Sequence, residues 1–450
     1  MLGDLLSNSV FWGVLVTVGS AVVRINIVVA LVLGSLVGGL VGGLSLVELI
    51  QAFQSGLAGG TPLALTYALV GGFASALAYS GVVEWLLSHL LRHLDRPGRP
   101  ASPRRIRRTL IIILLVLSLL CKSLFPMHIA FIPILIPPLL PLMNRVGLDR
   151  RMVACVLAFG LVVSYMIIPY GFGHIFLNDM LMMSLARDGL AMDTATTLRV
   201  MAIPCCALAI GLAIAVFFTY SRPHSYDRTV TGEALARRRA HAPFRLRHLW
   251  IVLLALVTSL VAQALCGGNM IVGTALGILV VTAGGIASLR HLDATVSEGI
   301  RVMALVGMIV IAAAGFNEVL RLTGGIDKLV ILMITAVHGN RALAVLVALL
   351  IGLVITLGLG TAFATVPIVS ALFVPLGHGL GLSPFAIMTL VAVSAVLGEP
   401  GSPLSSTTLG PTSGLGFDGQ FDHLRDCVWP TFLHFNGPLL ILGWLTILWL

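Results

Sequence analysis

The sequence predicts an all-α, multi-pass membrane protein made of two inverted-topology repeats. Each repeat is expected to hold a re-entrant helical hairpin and a broken transmembrane helix. Three observations carry that prediction. The first is composition: 58% of the 450 residues are hydrophobic and only 10% are charged, too little charge to cover a soluble protein of this length. The second is self-similarity. Residues 24–91 reappear at 267–334 under an ungapped shift of 243. This pairs Asn26 with Asn269, Gly34 with Gly277, Gly56 with Gly299, Gly72-Phe73 with Gly315-Phe316, and Glu84 with Asp327. Further on, a shift of 234 pairs Pro133 with Pro367, Pro141 with Pro375, Gly147-Leu148 with Gly381-Leu382, and Pro169 with Pro403. The third is the placement of basic residues. Arg24, the segments 92–108, 145–151, 222–247 and 290–301, and Arg425 together hold 21 Arg, against five basic residues on the opposite side. Basic loops remain cytoplasmic. Both termini therefore fall outside the cytoplasm of a cell inner (plasma) membrane, and the two repeats run in opposite directions.

In chain order, the first repeat covers 1–220. Apolar runs at 8–23, 26–43 and 60–80 are each long enough to cross, or nearly cross, the hydrocarbon core. A weaker amphipathic segment follows Gly81, suited to the membrane surface. The pair 109–123 and 127–143 has short arms, and Pro126 stands at its junction, followed by Pro133, Pro137, Pro138 and Pro141. A re-entrant hairpin over 109–143 is preferred to two full crossings, which would return the chain to the same side. The run 151–186 is one broken crossing, because two separate crossings would put Arg222 to Arg247 outside. A span at 199–220 completes the unit. Residues 221–247 form a basic cytoplasmic linker. The second repeat, 248–450, follows the same plan: spans at 248–265, 268–288 and 302–320, a surface segment after Gly324, a hairpin over 342–377, a broken helix over 384–413, and a last span at 429–449. Gly34-x-x-x-Gly38-x-x-x-Gly42 lines one helix face and permits close contact, either inside the chain or between two copies.

Several function classes fall away. The net charge of +9 follows from membrane topology and does not indicate a nucleic-acid partner. The expected partners are the bilayer and a small cation or small molecule. The six Cys form no C-x-x-C pair, which fits small buried hydrophobes better than a structural metal or disulfide framework. Only Lys122 and Lys328 occur, neither after Gly, so there is no phosphate-binding G-K-[ST] loop. H-E-x-x-H and G-x-S-x-G are absent. An enzyme is not expected, and no cofactor is implied. The first apolar stretch follows Asp4 rather than a basic segment, unlike a cleavable signal.

A membrane chain of two copies suggests a secondary transporter, and the breaks supply its chemistry. Irregular backbone at membrane depth is tolerated only where protein buries it or it lines a polar cavity. The segment Gly398 to Thr408 is the sharpest signal, with one carboxylate, five hydroxyls and two prolines between apolar runs. Hydroxyl and carbonyl oxygens are hard ligands for Na⁺, and a carboxylate can bind or release a proton. Glu399 is the candidate coupling group. Ser402, Ser405, Ser406, Thr407 and Thr408 surround it in sequence, and Thr361 and Thr365 stand at the second hairpin tip. The first repeat offers Ser123 and His128 at its hairpin tip, Ser164 before its break, and Asn178 and Asp179 after it. The last two fit either a mirrored site or the outer membrane interface. Lys122 is a candidate internal partner of Glu399 or Asp179, an anchor for an anionic substrate, or a side chain that snorkels to the surface. Glu318, three residues before Arg321, is expected to pair with it on one helix face.

At Gly398–Thr408 the chain resembles the NhaC-type sodium/proton antiporter family, within the wider ion transporter superfamily. The family pattern is roughly G-[D/E]-x-x-S-P-x-S-D-T-T, met here by Gly398, Glu399, Ser402, Pro403, Ser405, Thr407 and Thr408. The runs from His128 to Pro138 and from Leu409 to Gly414 also resemble the family. The resemblance implies cation-coupled secondary active transport by alternating access, elevator-like, with a scaffold domain, a mobile transport domain and a homodimer. Some members of the similar branch are regarded as amino-acid permeases, histidine among the proposed substrates. One departure bears on the ion: Ser406 stands where the pattern has Asp, so a carboxylate is missing from the expected cation site.

Overall fold

The computed structural model describes all residues except 1–2, 4–5, 24, 83–84, 86–88, 90–101, 124–131, 133–134, 237–244, 268, 287–288 and 337–338. The described residues are helical, without strands. Seven helices are long and apolar enough to cross a membrane, and four shorter apolar helices accompany them.

In order, the helices are α1 (Ser9–Val22), α2 (Ile27–Val41), α3 (Leu46–Tyr79), α4 (Pro103–Ser123), α5 (Leu140–Arg145) and α6 (Arg150–Ile167). Next is α7, which begins at Phe172–His174, continues as a π-helical stretch, Ile175–Met182, and ends at Met183–Arg187. Then follow α8 (Thr194–Ile214), α9 (Arg228–Ala236), α10 (Leu246–Leu265), α11 (Met270–Ala283), α12 (Leu289–Leu322) and α13 (Gly325–Ala336). The chain closes with α14 (Arg341–Leu359), α15 (Ala362–Gly379), α16 (Pro384–Val396), α17 (Ser406–Leu415) and α18 (Trp429–Trp449).

Matched sequence positions give matched local structure. Asn26 and Asn269 each cap a helix start, accepting from Val28 N–H and Val272 N–H, which satisfies donors the helix itself leaves free. Gly147 and Gly381 each end a helix with φ of 62° and 65°, a region that only Gly enters readily. Each is followed by a Leu whose N–H reaches back five residues, Leu148 to Met143 O and Leu382 to Gly377 O, the Schellman closure.

The apolar cores read at 60–80 and 302–320 belong to longer helices. Helices α3 and α12 are 34 residues each, about 50 Å at 1.5 Å per residue and longer than a hydrocarbon core. Hydropathy marks only the part that needs lipid. Glu48 begins α3 in a capping box, accepting from Ser45 N–H at 2.9 Å. The two long helices lie antiparallel, backbone against backbone. A Cβ on Gly56 would meet Gly315 Cα at 2.8 Å, one on Gly60 would meet Ile311 Cα at 2.6 Å, and one on Gly299 would meet Gly71 O at 2.1 Å. Small residues at these positions let the two backbones touch.

Burial differs between elements. The windows in α6 and α15 are 89% and 78% buried by protein, whereas the other candidate spans are 39–50% buried. The helices that carry the breaks and a hairpin arm therefore lie inside a shell of lipid-exposed ones. Helices α14 and α15 are joined only by Gly360, left-handed at φ 71°, and Thr361. Where the hairpin arms meet the broken helices, contact is again close. Ser118 Oγ lies 1.8 Å from a Cβ built on Gly160, and Ser394 Cβ lies 2.6 Å from one on Gly352. The Ser–Gly pair has exchanged sides between the halves.

One predicted pair is corrected. Glu318 pairs with Arg187 at the end of α7 rather than with Arg321 on its own helix. The side chains of α7 and α12 face each other across the molecule, so a partner on the opposing helix takes the carboxylate.

Candidate functional site

The second break runs from Leu397 to Ser405, between α16 and α17. Two glycines in left-handed backbone, Gly398 (φ 102°) and Gly401 (φ 120°), shape it. A Cβ on Gly401 would lie 2.5 Å from Phe432 Cα, so α18 passes directly behind the break. Asn436 of α18 supplies the backbone's missing partners. Gly398 N–H donates to its Oδ1 at 2.6 Å, and its Nδ2 donates to Pro400 O at 2.8 Å.

Glu399 is 1% exposed. Its Oε2 accepts from Tyr165 Oη–H at 2.8 Å and from Ala362 N–H at 2.8 Å. The first donor lies near the end of α6 and the second is the first residue of α15. One carboxylate therefore joins the broken helix of one half to the hairpin tip of the other, at a helix N-terminus whose dipole favours negative charge. The hydroxyls predicted from sequence gather here and are buried. Ser402 Oγ donates to Leu357 O of α14 at 2.9 Å. Thr407 Oγ1 donates to Glu399 O at 3.1 Å and lies 2.8 Å from Ser405 Oγ. Thr408 Oγ1 donates to Ser402 O at 2.6 Å. Ser405 Oγ also caps α17, accepting from Thr407 N–H. Each hydroxyl that gives its proton to a carbonyl keeps lone pairs for a cation or a polar ligand. Thr361 caps α15, and Thr365 Oγ1 donates to Thr361 O at 3.0 Å. Ser406 begins α17, half-buried, outside this hydrogen-bonded set.

The first break is built differently. Helix α6 continues to Ile167, and α7 begins after Pro169, Tyr170 and Gly171 (φ 62°). Ser164 Oγ donates to Leu119 O of α4 at 2.6 Å, the counterpart of the bond from Ser402 to α14. Asn178 and Asp179 sit in the π-helical stretch of α7, a geometry frequent at functional sites. Asn178 Nδ2 lies 2.7 Å from His174 Nδ1. Asp179 faces a cavity of about 180 Å³ between α3, α7, α12 and α15, whose lining also includes Arg187, Asp188, Asn317 and Phe363. His128 lies outside the described residues, as do the side chains of Lys122 and Ser123.

A cluster of aromatic rings separates the cavity from Glu399. Phe363 packs against Tyr67, Tyr165, Phe172 and Phe176 at centroid distances of 5.9, 5.3, 6.2 and 5.3 Å. Sequence reasoning missed Tyr165, because a Tyr in an apolar run reads as core. It also missed Asn317 and Asn436, although a lone Asn in an apolar span is itself a signal.

Outside the apolar layer, Arg150 and Asp418 form a buried ion pair at 2.6 Å. Arg150 also donates to Leu415 O and Asn144 Oδ1. Thr231 of α9 donates to Asp418 Oδ2 at 2.6 Å, and the Tyr226 ring covers the guanidinium at 4.2 Å. Burial pushes the Asp418 carboxyl up, but the hydrogen bonds from Arg150 and Thr231 and the Arg150 charge outweigh it and hold the carboxyl below its usual range. This network ties the start of α6 to the end of α17 and to the linker.

Broken helices, a short helical hairpin and a buried carboxylate at their meeting point define a secondary transporter and not an enzyme. Comparison with known proteins gives the family. Residues 155–444 match the Na+/H+ antiporter family and residues 8–94 match a second Na+-H+ antiporter family. The chain belongs to the Na+/H+ antiporter family. It is 40% identical to an uncharacterised membrane protein of Vibrio parahaemolyticus over 97% of this chain and 99% of that one. It is 37% identical to an uncharacterised membrane protein of Haemophilus influenzae, over 99% of this chain and 100% of that one. It is also 37% identical to YuiF of Bacillus subtilis, described provisionally as an amino acid transporter, over 90% of this chain and 91% of YuiF. Among solved structures, MtrF of Neisseria gonorrhoeae, presented with a class of antimetabolite efflux pumps, is similar in fold: TM-score 0.57, 15% identity, 89% of this chain and 83% of MtrF. The Alcanivorax borkumensis YdaH transporter is too, at TM-score 0.54 and 14% identity, over 89% of this chain and 87% of YdaH.

Proposed function

We propose that this protein is a cation-coupled secondary active transporter of the antiporter type, working by alternating access, with Glu399 as its coupling carboxylate. The observation that carries the reading is the position of Glu399. It is buried, and it is held at once by Tyr165 on the first broken helix and by Ala362 at the second hairpin tip. Gain or loss of a proton there changes what holds the two halves together. Ser402, Ser405, Thr407 and Thr408 line the same break, and Ser164, Thr361 and Thr365 support the adjoining tips. Ser123 and His128 would complete the site from the first hairpin. Ser406, in place of an Asp, leaves one negative charge fewer for a bound Na⁺, which favours proton coupling.

The repeat plan belongs to the same proposal. The units are 1–220 and 248–450, inverted relative to each other, with a cytoplasmic linker at 221–247 and re-entrant hairpins at 109–143 and 342–377. The antiparallel packing of α3 on α12 supports it, because the 243-residue shift carries one of these helices onto the other. Helices α1–α3 and α10–α12 would form the scaffold, and the hairpins with their broken helices the moving, elevator-like unit. The protein would work as a homodimer in the plasma membrane, with both termini outside the cytoplasm.

A second reading, coupled transport of an amino acid, draws support from the cavity beside Asp179, which is larger than a bare ion needs, and from the description of YuiF. The test is uptake by proteoliposomes across Na⁺, H⁺ and amino acids, with imposed gradients. Accumulation of one species above its equilibrium level, driven by the gradient of another, is expected. Flux that only dissipates each gradient independently would mark a passive channel instead.

A further inference from the structure

We propose that the cavity between α3, α7, α12 and α15 is a binding site for a small molecule that carries a primary ammonium group on a partly apolar body, with Asp179 and Asn317 as the recognising residues. The inference rests on the transporter reading for its physiological meaning, but the site is argued from its own groups.

Most polar groups around the cavity are already engaged. Asp188 accepts from Ser370 Oγ–H at 2.7 Å. Arg187 is paired with Glu318. Asp179 has no hydrogen bond and no ion pair with any described residue, although it lines the cavity. Asn317 is 7% exposed, lines the same cavity, and its amide also has no partner among the described residues. A buried amide without a partner is costly, and a carboxylate on a cavity wall without a counter-ion more so. Both costs are relieved by one ligand that donates several hydrogen bonds and carries positive charge. A primary ammonium does both, with three donors on one nitrogen.

The rest of the lining sets the body of the ligand. Two carboxylates against one guanidinium leave the wall with a net negative charge, so an anion is disfavoured. Met180 and Met183 offer pliable apolar surface, and the Phe363 ring closes the inner end. A volume of about 180 Å³ exceeds what one ion needs and would hold roughly a dozen waters or a small organic molecule. Asn317 also marks the site as belonging to one half only. The 243-residue shift places Ala74 opposite it, so the repeat alone does not account for the amide.

The experiment is thermal stabilisation of the purified full-length protein. The probes are free amino acids, their N-acetyl derivatives, the matching decarboxylated amines, and NaCl against KCl at equal ionic strength. At least one free amino acid or amine is expected to stabilise the protein saturably. N-acetylation of that probe should weaken it by about tenfold or more, the loss expected for a charge-assisted contact. Asp179→Asn should weaken it similarly, and Asn317→Leu, which also fills space, should weaken it too. Unliganded melting and monodispersity of each variant report whether it folds. An amine as good as its parent amino acid locates recognition in the ammonium alone, and an amino acid that outperforms its amine adds Arg187 to the site. The proposal is overturned if no probe stabilises, if N-acetyl derivatives bind as well as the free compounds, if both variants bind like wild type, or if Na⁺ alone gives the saturable effect. Gradient-driven flux in a protein that binds none of the probes would remove this site and leave the transporter assignment standing.

Discussion

The two breaks share a backbone register but not a chemistry. A shift of 234 maps the start of α6 onto the start of α16 and the start of α7 onto the start of α17. The same shift pairs Tyr165 with Glu399, and these two residues hydrogen-bond to each other. In the first half the helix runs through its Tyr to Ile167. In the second it stops at Val396, because Gly398, Pro400 and Gly401 replace residues that can continue a helix. The longer break frees carbonyls, which Ser402, Thr407, Thr408 and Asn436 then satisfy. Polar groups of the first half lie further on, in α7, against an open cavity. The comparison teaches that duplication fixed where the helices stop, while divergence placed a buried titratable group in one half and solvent-facing polar groups in the other.

The largest expected effect comes from severing what ties the two breaks together. Arg150→Met leaves Asp418 buried and unpaired and should destabilise the protein by about 3–5 kcal/mol in thermal or denaturant melts. Arg150→Met with Asp418→Leu should recover most of that loss, and a double variant as unstable as the single one would deny that the pair acts as a unit. The pH dependence follows from Asp418. Its carboxyl is held below its usual range in the fold, so its contribution is fully present above the ordinary carboxylate pKa of about 3.9. It is lost as pH falls below that, through the lowered folded value. Melting curves from pH 7 down to pH 3 should therefore show acid destabilisation that Asp418→Asn reduces.

A smaller effect separates the breaks from each other. Gly401→Ala forces a side chain into left-handed backbone against Phe432 and should cost about 1–3 kcal/mol or more. Ile167, its counterpart, is helical and 44% exposed, and Ile167→Ala should cost less. Equal costs would mean that the two breaks are not conformationally distinct. Tyr165→Phe keeps the ring and removes the donor to Glu399. Transport should fall by roughly tenfold, the scale of one hydrogen bond to a charged group, with the melting temperature little changed. The smallest effect is Ser406→Asp, which restores a carboxylate beside the second break and should raise Na⁺ dependence a few-fold in stabilisation assays with K⁺ as control. Strong saturable Na⁺ dependence in the unaltered protein would show that the existing oxygens suffice.

Much of this architecture is legible in the sequence for physical reasons. Caps and turn glycines recur because the same local conformations recur, so Asn26 and Asn269, or Gly147 and Gly381, announce matched helices. Glu399 and its hydroxyls stand out because polar groups are costly between apolar runs. The length of α3 and α12 was hidden, since hydropathy marks lipid contact and not helix extent. Tyr165 was hidden because its hydroxyl matters only through a partner 234 residues away. Arg150 reads as one more topogenic charge, and only the packing of α9 and Asp418 around it turns that charge into a buried clasp. Asn317 and Asn436 were readable in principle, as single amides within apolar spans, but their roles depend on which helix faces them.

The central claim is that the second break, through Glu399, couples transport to the proton. Its most direct test is flux in proteoliposomes under an imposed pH gradient, comparing wild type with Glu399→Gln. The amide keeps the shape and an acceptor for Tyr165 and Ala362 but cannot titrate. Gradient-driven accumulation should disappear in the variant while its folding, insertion and melting temperature stay close to wild type. Wild-type pH dependence in folded Glu399→Gln protein would contradict the account.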